Sequence, residues 1–367
     1  MHNARFSLGA ATALMALVLA SLEMGGCDKP KTDASAGSTS ASATTNAAQP
    51  APAAAASGKV AFLLSTLQEE RYKKDQKYFE AKAKELGLNV FTLSADNDNA
   101  RQLGQIEDAL SRGAKVIVVQ PTDSVAASAY VQKAHARGAK VVAYDRSIND
   151  PALDFYVAHD SFKVGALMAE AAVKATGGKG NYVLLNGQSG HSVAMEIERG
   201  YMSVLKPLED KGDIKIVMRK NHDSWSPEQS LKTVEDAISK THGDIQAILA
   251  NNSGMARGAV QAVVAKKLDS SKVFIGGADA DAADVNYVCE GKQTVEVLKD
   301  IKPLAEKAAE VAKALLEGRT PPASGTVNGT KVPEAAVPVT LITKENAKAM
   351  LVDTGFHDAK AVPACVK

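Results

Sequence analysis

The chain has 367 residues, and its 43 lysines and arginines nearly balance its 42 aspartates and glutamates, which leaves a formal net charge of +1. This balance excludes the strongly basic proteins that bind nucleic-acid phosphates or anionic membrane surfaces. The length predicts two folded domains, and three cysteines are too few for a disulfide-rich scaffold.

The amino-terminal 26 residues have the layout of an export signal. Arg5 supplies positive charge, and residues 8–22 form an apolar run that is shorter than the ~20 residues needed to span a bilayer. The run leads into Met24-Gly25-Gly26-Cys27, which resembles the bacterial lipoprotein processing site, where the cysteine is acylated. We therefore expect residues 1–26 to be a lipoprotein signal peptide and Cys27 to be lipidated. The alternative is an ordinary secretory signal followed by an incidental cysteine.

Residues 27–58 consist mainly of alanine, serine, threonine and proline. A segment without large apolar side chains cannot offset the entropy lost on ordering, so we expect a disordered tether. An acylated cysteine at its start would anchor the folded part of the chain to a membrane. The predicted localisation is therefore the periplasm or cell envelope, with lipid anchoring after signal cleavage.

From residue 59 onward, apolar runs typical of strands alternate with segments typical of helices. The runs lie at residues 59–66, 89–93, 116–119, 141–144, 182–185, 214–218, 245–250, 273–275 and 294–298. Arg-Gly-Ala-Lys-Val occurs twice, starting at Arg112 and Arg137, and each glycine is expected to end a helix in the left-handed conformation. Because the runs are continuous rather than alternating, they indicate strands buried on both faces. The pattern predicts an α/β fold with two doubly wound parallel-sheet domains, and a TIM barrel is the competing architecture.

Polar residues follow many of these runs, and the ligands of open parallel sheets bind beyond the carboxyl ends of the strands. The residues at these ends include Gln120, Asp123, Asp145, Arg146, His159, Asn186, Asn252, Asp279 and Lys299. Carboxylate, amide and guanidinium groups can each bond adjacent hydroxyls, while Trp225 and Tyr72 can cover the apolar face of a sugar ring. The convergence of these groups predicts a site for a neutral polyol.

Several of these residues also have a purely structural interpretation. Asn252 and Asp279 can cap the helices that follow them. Asp145 and Arg146 can form an ion pair with each other. Trp225 stands directly before a Ser-Pro pair that is typical of a helix start, where it would act as an anchoring apolar residue.

No enzymatic or metal-binding motif is complete. Residues 187–191 nearly match the nucleophile elbow G-x-S-x-G, but His191 replaces the second glycine that the strained turn requires. Phosphate-loop and dinucleotide motifs do not occur, and no histidines or cysteines have metal-ligand spacing. We expect no cofactor, no metal and no catalysed reaction. A hydrolase or isomerase that uses an unrecognised carboxylate pair is the alternative.

A family resemblance is carried by the segments ERY at residues 70–72, YDRSIND at 144–150 and GADAD at 277–281. They resemble the bacterial periplasmic D-xylose-binding proteins, which belong to the ribose/galactose type of periplasmic binding proteins that feed ABC importers. The resemblance covers nearly everything after residue 58. It implies the type I periplasmic binding protein fold and a monomeric protein. A monosaccharide, with D-xylose as the first candidate, would bind between the two lobes and close them.

The implied partner is an ABC permease. The main functional alternative is a protein that presents the sugar to a sensor or chemoreceptor. A regulator of the lac-repressor type shares the fold, but it would need a helix-turn-helix before the first strand.

The resemblance also implies lobe boundaries and site residues. The N-terminal lobe is expected at residues 59–159 and 299–336, and the C-terminal lobe at 160–298 and 337–367. The residues implied to contact the sugar are Arg71, Tyr72, Lys74, Asp145, Arg146, Trp225, Asn252, Asp279 and Lys299, with the two aromatic rings on opposite faces. Tyr72 stands in place of the relatives' tryptophan. The segment His191-Ser192-Val193 stands where the relatives have a more amide-rich segment with a sugar-facing asparagine. Val193 cannot make that bond, which leaves the identity of the sugar open.

Two cysteines remain beyond Cys27. Export to an oxidising compartment makes Cys289 and Cys365 a candidate disulfide, and two separate buried thiols are the alternative.

Overall fold

The computed structural model describes residues 58–324 and 331–367. The predicted signal peptide at residues 1–26, the predicted lipid attachment at Cys27 and the predicted tether up to residue 57 lie outside these ranges. Within them, no helix combines the length and the apolar character that crossing a membrane requires.

The described part of the chain alternates strands with helices over most of its length. Its strands are β1 (Lys59–Leu64), β2 (Asn89–Ser94), β3 (Ala114–Val119), β4 (Lys140–Tyr144), β5 (Phe155–His159), β6 (Gly180–Asn186), β7 (Ile214–Asn221), β8 (Ala247–Ala250), β9 (Phe274–Ala278), β10 (Val295–Leu298), β11 (Glu334–Val337) and β12 (Thr340–Ile342). Its α-helices are α1 (Glu70–Glu85), α2 (Asn99–Ser111), α3 (Ser128–His135), α4 (Ser161–Thr176), α5 (Ser192–Lys211), α6 (Pro227–Thr241), α7 (Ser253–Ala265), α8 (Ala282–Glu290) and α9 (Ile301–Leu316).

The strands form two six-stranded sheets within the described residues. The first has the order β11-β5-β4-β3-β1-β2, and all its neighbours are parallel. The second has the order β12-β10-β9-β8-β6-β7 and is parallel except at β12, which runs antiparallel to β10. Both sheets are open and doubly wound. The predicted fold class is therefore confirmed, and the TIM barrel is excluded.

Each sheet is covered by helices on both faces. Since alternate residues of a strand point to opposite sides of the sheet, each strand contributes to the core on both faces. On β1, Val60 and Phe62 pack beneath α1 and α9, whereas Ala61 and Leu63 pack beneath α2 and α3. The second sheet lies in the same way between α4 with α5 and α6 with α7. We call the first sheet with α1, α2, α3 and α9 the first lobe, and the second sheet with α4 to α8 the second lobe.

The repeated Arg-Gly-Ala-Lys-Val segment behaves as the sequence predicts, but three strands, β5, β11 and β12, are absent from the predicted runs. Gly113 and Gly138 follow α2 and α3 with φ angles of 85° and 67°, the left-handed region that favours glycine. Strand β5 is indicated only by the polar residue at its end, His159, and β11 and β12 have only four and three residues. Runs this short give too weak a periodic signal to be recognised.

A disulfide closes the carboxyl-terminal end of the second lobe. Cys289 at the end of α8 and Cys365 are joined across a sequence separation of 76 residues, with their Cα atoms 5.2 Å apart. The bridge belongs to a small core that also contains Leu298 and Leu351. It therefore holds the end of the chain close to Leu298, where the main chain passes from the second lobe to the first.

Reducing this disulfide is expected to lower the free energy of unfolding by about 2–4 kcal/mol, because a long closed loop restricts the unfolded chain. Thermal unfolding with and without a reductant measures the effect. A Cys289→Ala, Cys365→Ala double variant, insensitive to reductant, is the control. Two free thiols besides Cys27 in the unreduced, denatured protein would contradict the bridge.

Candidate functional site

Two aspartates occupy equivalent positions in the two sheets. Asp145 follows β4 and Asp279 follows β9, and their main-chain N–H groups donate to Val157 and Val297 on the neighbouring strands at 2.8 and 3.0 Å. Their φ angles are 61° and 96°, values that residues other than glycine rarely adopt. The two strand ends thus turn sharply at corresponding points, and both aspartates line one cavity.

This cavity, of about 20 Å³, lies where the carboxyl ends of the two sheets meet. It is lined by Glu69, Arg71, Tyr72, Asp145, Arg146, Val193, Trp225, Asn252, Asp279 and Lys299. The structure thus brings together all the residues implied to contact sugar except Lys74. A space of this size holds about one water molecule, so a larger ligand can enter only when the lobes move apart.

Arg71 is the centre of a buried ion cluster that joins the lobes. Its guanidinium lies 3.1 Å from Asp145, 3.4 Å from Asp75 and 3.4 Å from Asp279. Lys299 adds contacts of 3.1 Å to Asp279 and 3.9 Å to Asp145. Arg71 and Lys299 are only 5% and 4% exposed. The pair between Arg71 and Asp279 crosses from the first lobe to the second.

The cluster controls the protonation of the acidic groups around it. Burial alone would raise the pKa of Asp145, but the nearby Arg71, Lys299 and Arg146 outweigh burial and hold that pKa well below its usual range. For Asp75 burial dominates, despite Arg71, and raises the pKa to about 6. Asp145 is therefore a carboxylate at neutral pH, able to accept hydrogen bonds from a ligand.

Arg146 and Tyr72 form a second group on the first lobe. Arg146 donates to the Tyr72 hydroxyl oxygen at 3.0 Å and to the Pro121 carbonyl oxygen at 3.2 Å. Gln120 donates to the Asp145 carboxylate at 3.0 Å. Asp145 pairs with Arg71 and not with Arg146, so the alternative of a structural ion pair between these sequence neighbours is wrong.

Trp225 reaches the cavity from a short turn between β7 and α6. Its indole Nε1–H donates to Nδ1 of His191 at 2.8 Å. A Cβ atom at Gly187 would lie 2.5 Å from the indole ring, so only glycine leaves room for it there. Ser226 caps α6 through a bond from Gln229 N–H, as the helix-start interpretation predicts. Trp225 therefore precedes a helix start and also lines the cavity.

Asn252 likewise has both roles. Its Oδ1 accepts from the Met255 N–H at 2.9 Å and caps α7. This leaves its Nδ2 group as the hydrogen-bond donor available to the cavity.

Lys74 does not line the cavity. Its ammonium lies 2.9 Å from the Glu70 carboxylate and 4.6 Å from the centre of the Phe356 ring. Lys74 sits one turn further along α1 than Arg71, so these contacts hold it outside the cluster.

The sequence does not single out three residues of the site, Glu69, Gln120 and His191, as ligand or positioning residues. Glu69 lines the cavity, and its buried Oε2 has no hydrogen-bond partner; burial raises its pKa, partly offset by Arg146. The sequence indicates Gln120 only as a strand end, and His191 only as a residue that breaks an enzyme motif and that begins the segment 191–193, where the chain departs from its relatives. An acidic residue before a helix is common, so nothing in the local pattern marks Glu69. Among the described residues, no acidic, histidine or cysteine side chains group as metal ligands.

Several known proteins are similar to this chain. The family model described as a periplasmic binding protein domain matches residues 60–320. The chain is 40% identical over 301 residues to the D-xylose-binding periplasmic protein of Escherichia coli (strain K12), which covers 82% of this chain and 91% of that protein. It is 31% identical over 333 residues to the multiple sugar-binding periplasmic receptor ChvE of Rhizobium radiobacter, with 84% and 94% covered. A solved carbohydrate transporter solute binding protein from Chloroflexus aurantiacus, in complex with D-glucose, is 30% identical, with a TM-score of 0.77 over 82% of this chain and 97% of that one.

Proposed function

The chain belongs to the periplasmic binding protein family, and from this premise we propose that it binds a neutral monosaccharide between its lobes and delivers it to an ABC importer. D-xylose is the first candidate, because the chain is 40% identical to the D-xylose-binding relative over 91% of that protein's length, against 31% for the multiple sugar-binding receptor. Membership of this family makes the chain a binding protein rather than an enzyme.

The observation that carries the proposal is the composition of the cavity. Three cationic side chains, Arg71, Arg146 and Lys299, face three acidic ones, Glu69, Asp145 and Asp279. A balanced set favours an uncharged ligand, because an anion or cation would leave one charge unpaired in a buried site. Fixed charged donors and acceptors suit hydroxyl groups, with which they form charge-assisted hydrogen bonds, and Tyr72 and Trp225 offer aromatic faces to the C–H side of a ring.

Closure follows from the division of these groups between the lobes. Arg71, Asp145 and Arg146 belong to the first lobe, while Trp225 and Asp279 belong to the second. A sugar that bonds to both sets is bound best in the closed form, so it shifts the population toward closure. The permease then recognises the closed shape.

We place the hinge at the three points where the chain passes between the lobes. The passages follow β5, β10 and β11, close to the predicted boundaries. They are bonded to one another, because His159 donates from Nε2 to the Asp300 carbonyl at 3.0 Å and Asp160 N–H donates to Val337 at 3.3 Å. Such a hinge lets the lobes rotate as units while both sheets stay intact.

We further propose that the protein acts as a monomer in the periplasm, anchored through a lipid on Cys27. The periplasmic names of the relatives support the compartment. The lipid anchor rests on the Gly25-Gly26-Cys27 segment alone. A role in presenting sugar to a sensor uses the same closed form and remains the second candidate.

Titration calorimetry with a panel of pentoses and hexoses tests the proposal. We expect saturable binding of D-xylose with a dissociation constant in the micromolar range or tighter, ~−8 kcal/mol or better. D-glucose is the key comparison, since a similar solved protein holds it. The absence of binding heat with every monosaccharide of the panel would contradict sugar binding. Turnover of the bound sugar would favour the hydrolase or isomerase alternative.

A further inference from the structure

His191 is buried between the lobes with both ring nitrogens bonded. It lies in the second lobe directly before α5 and is 2% exposed. Its Nε2 donates to the Thr122 carbonyl of the first lobe at 2.7 Å, and its Nδ1 accepts from Trp225 at 2.8 Å. One side chain thus connects the opposite lobe to the aromatic wall of the cavity.

The first-lobe end of this connection is itself part of the site. Gln120, Pro121 and Thr122 follow β3, and these three consecutive residues bond to Asp145, Arg146 and His191 in turn. Gln102 holds the segment in place by accepting from the Thr122 N–H at 2.9 Å and from its hydroxyl at 3.1 Å. A single rigid segment therefore positions two charged groups of one lobe and, through His191, the tryptophan of the other.

We propose that His191 is a closure latch that locks Trp225 over the sugar only when the lobes come together. The inference rests on the proposed function and adds a positioning residue to it. The Thr122 carbonyl can only accept, so Nε2 carries the proton and Nδ1 is left to receive the indole N–H. When the lobes open, His191 loses the Thr122 carbonyl and its ring is exposed to water. Its proton can then lie on either ring nitrogen, so Trp225 loses its fixed acceptor.

Such a latch also makes closure sensitive to acid. In the closed protein burial, and then the positive charge of Arg146, lower the pKa of His191 from 6.5 to about 3. Asp145 acts in the opposite direction, and Asp123 stands beside the neighbouring Gly190. Opening returns the ring to water, where its pKa approaches the ordinary value of ~6.5. Closure then expels a proton below that pH, so sugar affinity is complete above pH ~6.5 and falls up to about tenfold per pH unit as the solution is acidified.

The experiment compares three variants of the full chain with the wild type. His191→Phe keeps a ring but loses both bonds, whereas His191→Gln keeps one donor and one acceptor and does not titrate. Ser192→Ala is the matched control, because Ser192 accepts from the Ser147 N–H of the other lobe at 2.8 Å without touching Trp225. Trp225 is the one tryptophan in the sequence, so its indole N–H gives a single resonance.

The first measurement is made with and without saturating D-xylose, because the latch forms only in the closed protein. With sugar bound, we expect indole N–H exchange with solvent to be at least about tenfold faster in His191→Phe than in the wild type, while His191→Gln and Ser192→Ala stay close to the wild type. Without sugar, open molecules leave the indole unprotected, so the difference should be smaller. Equal exchange in sugar-bound wild type and sugar-bound His191→Phe overturns the latch.

The second measurement is the pH dependence of sugar affinity. We expect His191→Phe to bind at least about tenfold more weakly at neutral pH and His191→Gln to retain most of the affinity. Buried Asp75 and partly buried Asp281, with pKa values raised to about 6, add a slope common to all variants. The His191 contribution is therefore the difference between wild type and His191→Gln. Identical slopes for these two proteins overturn the latch, whereas a wild type that binds no sugar but protects its indole contradicts only the proposed function.

Discussion

Replacing Trp225 by alanine is expected to weaken sugar binding by at least about thirtyfold, the loss typical of a buried aromatic anchor. The ring lines the cavity, and an aromatic ring in a sugar site can cover the C–H face of the sugar. The start of α6 does not depend on it, because Ser226 makes the capping bond. Calorimetry on the folded variant measures the change.

The control for this variant is Tyr287→Ala. Tyr287 and Trp225 both pack as partly buried rings against the same core of the second lobe, but Tyr287 does not line the cavity. A similar loss of stability without a loss of affinity is therefore expected for Tyr287→Ala. Affinity unchanged by Trp225→Ala would return the tryptophan to a purely structural role before α6.

Replacing Arg71 by methionine should have the largest effect on stability of any single substitution in the cavity. It leaves Asp75, Asp145 and Asp279 without their shared cation, and breaking a buried ion pair from one side costs about 3–5 kcal/mol. Sugar binding should also be lost, because the bridge between the lobes is removed. Chemical denaturation and calorimetry measure the two effects.

The pH dependence of this loss has a definite sign. Because the pKa of Asp145 in the folded protein is far below its usual value, its pairing stabilises the fold above pH ~4 and the contribution fades as pH falls. The difference in stability between wild type and Arg71→Met should therefore be greatest at neutral pH and shrink in acid. A constant difference across that range would contradict the assigned role of Arg71.

Lys74→Met is the matched control on the same helix. Lys74 pairs with Glu70 at the surface, and such pairs contribute about 1 kcal/mol or less. A small change in stability is expected. Its affinity decides whether Lys74 contacts sugar, as the family resemblance implies, or stays outside the cavity, as its position in the structure indicates.

Much of the fold could be predicted because its signals are local. Continuous apolar runs such as those of β1 and β3 show burial on both faces, and glycines such as Gly113 mark where a helix turns into a strand. The edge strands β11 and β12 could not be found this way. They are short, and their pairing with β5 and β10 depends on where the chain passes between the lobes.

The candidate site was predictable to the same extent. Asp145 and Asp279 each follow a buried strand, and the rule that ligands lie beyond strand ends selects both. Glu69 and His191 could not be selected, since an acid before a helix and a histidine in a loop are ordinary features. Their significance depends on what lies opposite them in the folded chain.

The sequence by itself determined the two-lobed α/β architecture, the family and the set of polar strand ends, because these depend on periodicity and on motifs within short segments. Only the tertiary structure decided which groups meet: Arg71 with Asp279 across a separation of 208 residues, and His191 with Thr122 across 69. Such contacts depend on how the two lobes pack against each other. No local sequence pattern indicates that packing, since each residue of a pair is compatible with the helix or loop that contains it whether or not its partner is present.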